Sequence, residues 1–384
     1  MPEEAKNVAV VVGNGLSMAF NSDLHLRSIT EEVLRRIQSA DGNDAVAAMK
    51  EIANSALEHG AKCDDDFEVL VGAFGAESRN LEMLHRFAAL RDSLDENIQK
   101  SLSDSAAYLQ RVCDNGISHV LEVIAERSHA SRGPAADNLQ ELLNAIITAF
   151  SGRVTFGNLN YDTLLLAALI RVCQQDLADM GNPGQRLVVP GKNGENHEAL
   201  GLRRNASEFP ADRRVTLLHL HGSLTYWATR DNKIHMKLPR EMLKSGYHWK
   251  AIREHTTDVH PVVVLANQRD KCEKIGEFPF SLAYEMVSNE LTQADHWLII
   301  GYSFRDTPVN RMLQQAFSQK TQKPTVLVVT YGEKPTRHRV KKALGWRSHE
   351  DGSSHDWLTI DRCGANGVQK TAHWEEFIAD RATS

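Results

Sequence analysis

Val8-Ala9-Val10-Val11-Val12-Gly13-Asn14-Gly15-Leu16-Ser17 is the stretch on which the reading of the fold turns. Its apolar run has no polar alternate, so both faces of such a strand need covering, as in a parallel sheet flanked by helices. Two glycines follow at once. At a strand-to-helix turn, glycine lets the backbone approach a phosphate, and the next helix N-terminus offers N–H groups and a favourable dipole. The alternative is a tight turn that needs positive φ. The dehydrogenase fingerprint is excluded, because Met18 stands where its third glycine belongs and no second strand ends in an acid about 20 residues on.

Comparable runs recur at Val154 to Phe156, Val215 to Leu220, Val262 to Leu265, Trp297 to Ile300 and Thr325 to Thr330. Alternating with helix-like segments, they predict an α/β protein with a Rossmann-like parallel sheet. Between the first two runs lies a stretch of roughly 130 residues with helical periodicity and no strand-like run. Thr30-Glu31-Glu32-Val33-Leu34 resembles a helix opening, and Asn138 to Leu143 continues with apolar spacing toward Ile146 and Phe150. The expected division is a discontinuous sheet domain, 1–20 and 151–384, with a large helical insertion at 21–150 after the first strand. A second interruption, from Asp179 to Asp212, is rich in turn residues such as Gly181-Asn182-Pro183-Gly184 and Asn193-Gly194. It reads as a long surface excursion, either a functional cover or a linker.

Three further motifs sit where apolar runs give way to polar residues, the end of a parallel strand that faces a ligand crevice. In Thr155-Phe156-Gly157-Asn158-Leu159-Asn160-Tyr161-Asp162, the side chains of Asn160 and Asp162 share a face if the backbone is extended. Helix capping is the plainer reading of Asp162. In Leu218-His219-Leu220-His221-Gly222-Ser223, the period of two pairs His219 with His221. A metal site there lacks neighbouring carboxylates or thiolates in the sequence. His219 reads as structural, and His221, just before a glycine that ends the strand, as a solvent-accessible general base. In Ile299-Ile300-Gly301-Tyr302-Ser303-Phe304-Arg305-Asp306, Gly301 and Ser303 offer backbone approach and a hydroxyl for a ribose or phosphate. Here the plainer reading is a strand–helix connection with Asp306 at the cap and Pro308 at the helix start.

The 384 residues, with 42% hydrophobic and 24% charged, are those of an ordinary globular protein with enough apolar material for a core. A net charge of −6 argues against a surface that tracks nucleic acid as a whole. A local basic stretch from Lys334 to Arg347 is read as a solvated helix face or a basic patch. The five cysteines are far apart and form no C-x-x-C pair, so neither a disulfide framework nor a zinc site is expected. The acidic N-terminus before a short apolar run lacks the features of a signal peptide or membrane span, which makes a cytoplasmic location the expectation.

Taken in order, the four motifs resemble the sirtuin superfamily, and specifically the sirtuin-like NAD hydrolase branch of bacterial anti-phage defence systems. Gly13, Gly15 and Ser17 match the phosphate loop, Asn160 and Asp162 the second motif, His221 and Gly222 the third, and Gly301 and Ser303 the fourth. Asn14 replaces the alanine of the deacylase loop. Only Cys272 lies between Trp227 and Trp297, where deacylase sirtuins carry a four-cysteine zinc ribbon. The resemblance therefore implies NAD as substrate, no zinc ribbon, and water in place of acyl-lysine as acceptor.

By the same resemblance, Gly13, Asn14, Gly15, Ser17, Gly222, Gly301 and Ser303 bind NAD. His221 serves as base, Asn160 positions water, and Asp162 orients the nicotinamide side. The implied role is a regulated effector of defence, a homo-oligomer or a partner of a HerA-type ATPase, with direct nucleic-acid binding left open. Two other readings are a non-catalytic NAD or ADP-ribose sensing subunit and a protein deacylase.

Overall fold

The computed structural model describes residues 5–56, 67–90, 96–128, 134–191, 195–244, 246–265 and 268–379. Asn193 and Gly194 of the turn-rich segment lie outside these residues, as does Cys63. Strand β1 (Val8–Val12) leads into a short helix α1 (Asn14–Phe20). Then come α2 (Leu26–Asp41), α3 (Asn43–Ala56), α4 (Phe67–Ala89), α5 (Glu96–Ser128) and α6 (Pro134–Ala149). The expected helical stretch after the first strand is thus present. β2 (Val154–Asn158) and α7 (Leu164–Cys173) precede β3 (Leu177–Asp179), β4 (Gly181–Pro190), β5 (Asn196–Leu202) and β6 (Val215–His219). β7 (Gly222–Thr229) and β8 (His235–Lys237) are followed by α8 (Arg240–Lys244), α9 (Tyr247–Arg253), β9 (Val259–Val263) and α10 (Gln268–Lys274). The chain closes with α11 (Phe280–Gln293), β10 (His296–Ile300), α12 (Thr307–Gln319), β11 (Thr325–Val329), α13 (Arg337–Ala343), β12 (Leu358–Asp361) and α14 (Ala372–Ile378).

Seven strands form a parallel sheet in the order β12-β11-β10-β1-β2-β6-β3. Strand β1 sits between β10 and β2, in register Val12 with Ile300 on one side and with Asn158 on the other. The pleat explains why its run is apolar throughout. Ala9 and Val11 enter a core with residues of α11, α12 and α13, while Val8, Val10 and Val12 enter one with residues of α1, α6, α7 and α14. Both faces of the sheet are covered, so an α/β, Rossmann-like architecture follows from the strand order and the helix layers together.

The remaining strands correct two expectations. The run at Val262 to Leu265 contributes β9 to a second, five-stranded antiparallel sheet, ordered β4-β5-β8-β7-β9. The stretch from Asp179 to Asp212 is no plain surface excursion, since it supplies the β4–β5 hairpin of that sheet. Its turn residues misled because Asn182, Pro183 and Gly184 lie at a register shift between Asn182 and Arg186, where the strand departs from regular pairing. β4 is also largely exposed, so it carries no apolar run.

The second sheet shares a core with α2, α4 and α5, where Val33, Leu70, Phe74, Leu121 and Ile124 meet Leu224, Trp227, Trp249 and Val263. Helix α6 belongs instead to the main sheet, burying Leu139, Leu142, Leu143 and Ile146 against it. Toward solvent, the end of α4 shows Met83, Leu84 and Phe87, with Leu90 just beyond it. The basic stretch is distributed: Arg337 donates to the carbonyls of Ser354 and Leu358, and Lys341 lies over the Trp346 ring.

Candidate functional site

Because β1, β2, β6 and β10 are parallel neighbours, their carboxyl ends deliver the four motifs to one edge of the sheet. The first and fourth pack directly on each other. Gly13 N–H donates to Ile300 O at 2.9 Å and Gly15 N–H to Gly301 O at 3.0 Å. A Cβ on Gly13 would lie 2.7 Å from Gly301 O, and one on Gly15 2.6 Å from Gly301 Cα. Gly13 has φ of −112°, so close approach, not positive φ, explains the glycine there. Gly301 does have φ of +64°, and its Cβ would meet Leu16 N at 2.4 Å. Several amides of the loop are thereby committed to protein: those of Gly13 and Gly15 to motif four, and that of Leu16 to Gly13 O. Asn14 Nδ2 reaches Leu24 O at 3.4 Å.

Ser17, Asn160 and Asp162 form one buried hydrogen-bonded set. Ser17 Oγ donates to Asp162 Oδ2 at 2.7 Å and accepts from Asn160 Nδ2 at 2.9 Å. Asn160 Nδ2 also donates to Gly13 O at 3.1 Å. The single hydroxyl hydrogen of Ser17 is therefore used inside the protein. β2 ends at Asn158, so Asn160 and Asp162 converge from a loop and not from extended strand. The N-cap of α7 is Thr163, and Asp162, one residue before it, accepts from Leu164 N through Oδ1 at 2.9 Å. Burial pushes the Asp162 carboxyl up, against the pull of the Ser17 hydroxyl and the Leu164 amide.

His221 departs from expectation in two respects. It is buried at 4% exposure, so it is not the solvent-accessible base that its position before a glycine suggested. Gly222 does not end the strand: β6 stops at His219, and Gly222, with φ of +83°, opens β7. A Cβ there would meet Val262 O at 2.2 Å, because β7 pairs with β9 at that point. The His221 ring has Nε2 3.3 Å from Tyr284 Oη and 3.5 Å from Asp306 Oδ2. Burial and then the nearby Lys271 cation push its pKa down, partly offset by Asp306 and Glu68. His219, by contrast, is wholly enclosed, with Nδ1 3.3 Å from Asn158 Nδ2 and 3.4 Å from Asn160 O. Burial holds it down at about 4, which keeps it a neutral structural ring.

Motif four completes the edge. Asp306 is the N-cap of α12, accepting from Val309 N at 3.1 Å, with Pro308 in the first turn. The same carboxylate accepts from Lys271 Nζ at 3.1 Å, and Lys271 Nζ lies 2.6 Å from Glu68 Oε2. Burial raises Asp306, yet His221, Lys271 and the Val309 amide together bring it below the usual carboxylate range. Ser303 is exposed at the turn. Phe304 is buried with φ of +56°, held by a ring contact with Tyr302 at 4.7 Å and by Asn310 Nδ2 on its carbonyl.

Glu68, Lys271 and Tyr284 lie outside the sequence motifs. Each is in a helix, where an ordinary charged or aromatic residue gives no local signal, and only the tertiary fold brings them to His221. A cavity of about 340 Å³ elsewhere is lined by Leu139, Thr163, Arg171, Arg240 and Lys244 and includes none of the candidate site residues. Among the described residues, no cluster of three or more His, Cys, Asp or Glu side chains could hold a metal ion. Nor, among them, is any helix long and apolar enough to cross a membrane.

No curated protein matches the chain. The solved structures that match the chain include two of Sir2 enzymes. One, "Crystal structure of Sir2 in complex with the inhibitor EX-527, 2'-O-acetyl-ADP-ribose and deacetylated p53-peptide", is 12% identical over 63% of this chain and 72% of that one, with a TM-score of 0.33. The other, "Structural basis for the mechanism and regulation of Sir2 enzymes", is 13% identical over 98% of this chain and 91% of that one, with a TM-score of 0.35. The family described as SIR2-like domain matches residues 154–349, a span that includes the second, third and fourth motifs. With that match over half of its length, the chain belongs to the SIR2-like domain family.

Proposed function

We propose that the protein is an NAD glycohydrolase that cleaves the nicotinamide–ribose bond to give nicotinamide and ADP-ribose. The observation that carries this reading is the meeting of the Ser17–Asn160–Asp162 set and the His221–Asp306 pair at one sheet edge. Loss of nicotinamide leaves an oxocarbenium-like ribose, so the site must hold the dinucleotide, place a nucleophile and keep other water out. Asn160 spends both amide hydrogens on Gly13 O and Ser17 Oγ. Its amide oxygen is then the part of the side chain that can accept from an attacking water. Asp162, raised by burial, would orient the nicotinamide side.

His221, kept neutral, would accept a proton from that water or from a ribose hydroxyl. An Nε2–H facing Asp306 leaves Nδ1 as the lone-pair nitrogen of a neutral ring. Gly13, Asn14, Gly15, Gly222, Gly301 and Ser303 would line the dinucleotide path. Ser17 would act mainly as the link between Asn160 and Asp162.

A regulated defence effector, working as a homo-oligomer or with a HerA-type ATPase, extends this proposal. Free NAD hydrolysis would harm a host cell, and the apolar stripe of Met83, Leu84, Phe87 and Leu90 at the end of α4 is the kind of surface that self-association covers. As a division of the sequence we propose a helical insertion at 21–150 and a sheet domain at 1–20 and 151–384, with α6 at the end of the insertion packed on the main sheet. The test is incubation with NAD and separation of products. Nicotinamide and ADP-ribose in equal amounts support the hydrolase, acyl-ADP-ribose formed only with an acyl-lysine peptide supports a deacylase, and binding without turnover supports a sensing subunit.

A further inference from the structure

We propose that Glu68 of α4 and Lys271 of α10 are positioning residues for the His221 site, so that the seating of the helical segment against α10 controls the state of the imidazole. This rests on His221 being the base of the proposed hydrolase. Lys271 Nζ stands between two carboxylates, 2.6 Å from Glu68 Oε2 and 3.1 Å from Asp306 Oδ2. The same Asp306 oxygen is 3.5 Å from His221 Nε2. The side chains of Lys271, Asp306 and His221 are only 5%, 8% and 5% exposed, so solvent screens this chain of charges weakly. Glu68 is 23% exposed and marks the end of the relay on the helical segment. Tyr161 Oη lies within hydrogen-bond reach of Glu68 Oε1, at 2.5 Å, and of Val264 O, which ties Glu68 to the loop that carries Asn160 and Asp162.

The groups that face His221 come from four elements: Tyr284 from α11, Asp306 from the cap of α12, Lys271 from α10 and Glu68 from α4. Two are anionic and one cationic, so charges of both signs act on the ring. Removal of either outer charge tips it. If α4 withdraws, Lys271 loses one of its two anions, Asp306 is drawn more strongly to the lysine, and the imidazole loses its hold. If Lys271 withdraws, two carboxylates are left to stabilise a protonated ring. Opposite shifts on neutralising the two partners in turn are what their charges require if they reach the ring, whereas an ion pair that only braces the fold leaves both the midpoint and the rate of nicotinamide release where they were.

The experiment is NMR titration of the whole chain labelled at histidine Cε1, with the His221 signal identified by its loss in His221→Gln. Glu68→Gln should lower the midpoint of the His221 ring, and Lys271→Met should raise it, each by about half a pH unit or more. Glu68→Gln should also slow nicotinamide release roughly ten-fold at neutral pH, and Glu68→Asp should restore part of that loss. An unchanged His221 midpoint in Glu68→Gln, or shifts of the same sign in both variants, overturns the relay. Should Glu68→Gln fail to fold, Glu68→Asp is expected to give a smaller downward shift, and no shift there overturns the proposal equally. Absence of nicotinamide release from the wild type counts against the hydrolase alone, because the ring titration reads the relay without turnover.

Discussion

The hydroxyl of Ser17 donates to Oδ2 of Asp162 at 2.7 Å, joining residues 145 positions apart. Both side chains are buried, so neither can turn to water for a substitute partner. Ser17→Ala should therefore leave a buried carboxyl short of a donor, at a cost of about 1–3 kcal/mol. Urea unfolding measures that cost directly. Nicotinamide release should fall with it, since Asn160 loses one of its two anchors. A variant as stable and as active as the wild type would show that the set is dispensable.

His221→Ala should leave NAD binding largely intact while slowing hydrolysis roughly 10²- to 10⁴-fold, the usual contribution of a general base. Calorimetric titration and nicotinamide release separate the two effects. Hydrolysis at the wild-type rate would remove His221 from its role.

Gly301→Ala and Gly332→Ala make a matched pair. Both glycines have positive φ, +64° and +73°, but only the first has backbone in the way, with Leu16 N at 2.4 Å from the added Cβ. Gly332→Ala should cost about 1–2 kcal/mol, the penalty of the left-handed region alone. Gly301→Ala should cost more and should weaken NAD binding, because the loop from Gly13 to Ser17 rests on that backbone. Thermal melts of the two variants test the difference. Equal losses would show that the contact yields at no cost.

Acid should destabilise the fold through its enclosed histidines. Burial, then the cations Arg253 and Arg36, hold His119 down at about 4, and neither ring nitrogen has a hydrogen-bond partner among the described residues. His219 is held at about 4 as well. For both, the folded value is below the unfolded one of 6.5, so between these values the unfolded chain binds more protons. Their contribution is complete above pH 6.5 and is lost as the pH falls toward 4. Urea midpoints at pH 7 and pH 5 should differ accordingly, and His119→Leu should narrow the gap. An unaltered gap in that variant would place the effect elsewhere.

Lys237 and Asp179 form an ion pair that fastens β8 of the second sheet to the end of β3, with side chains 16% and 14% exposed. Burial alone would raise Asp179, but Lys237 outweighs it and the carboxyl stays low. Lys237→Met should destabilise the protein by about 3–5 kcal/mol, because a buried charge is left without its partner. Lys237→Met with Asp179→Asn should recover much of that loss.

What the sequence disclosed follows the physics of burial. β1, β10 and β11 are apolar runs because the pleat sends alternate residues into two cores, and such runs stand out. β12 did not stand out. It is an edge strand of mixed residues, Leu358 to Asp361, paired on one side only. The second sheet was nearly as silent: the run at Val262 to Leu265 marked β9, but β4 is exposed and its turn residues mimic a loop. At the site, Ser17, Asn160, Asp162 and His221 were legible because strand ends concentrate polar residues after apolar ones. The depth of His221 was not, for it is set by Tyr284 and Lys271 from helices. Glu68 and Lys271 meet across 203 positions, and no local pattern marks two charges that find each other at that distance.

The place of β1 between β2 and β10 has a bearing on biosynthesis. Strand β1 waits for one neighbour until β10 has left the ribosome, and the Gly13 to Ser17 loop waits with it for Gly301. Any nascent or prematurely terminated chain that stops before Ile300 lacks both the seat of that loop and the carboxylate beside His221. Translation order thus sets the order of assembly: the edge that gathers the four motifs is complete only once synthesis has passed Asp306.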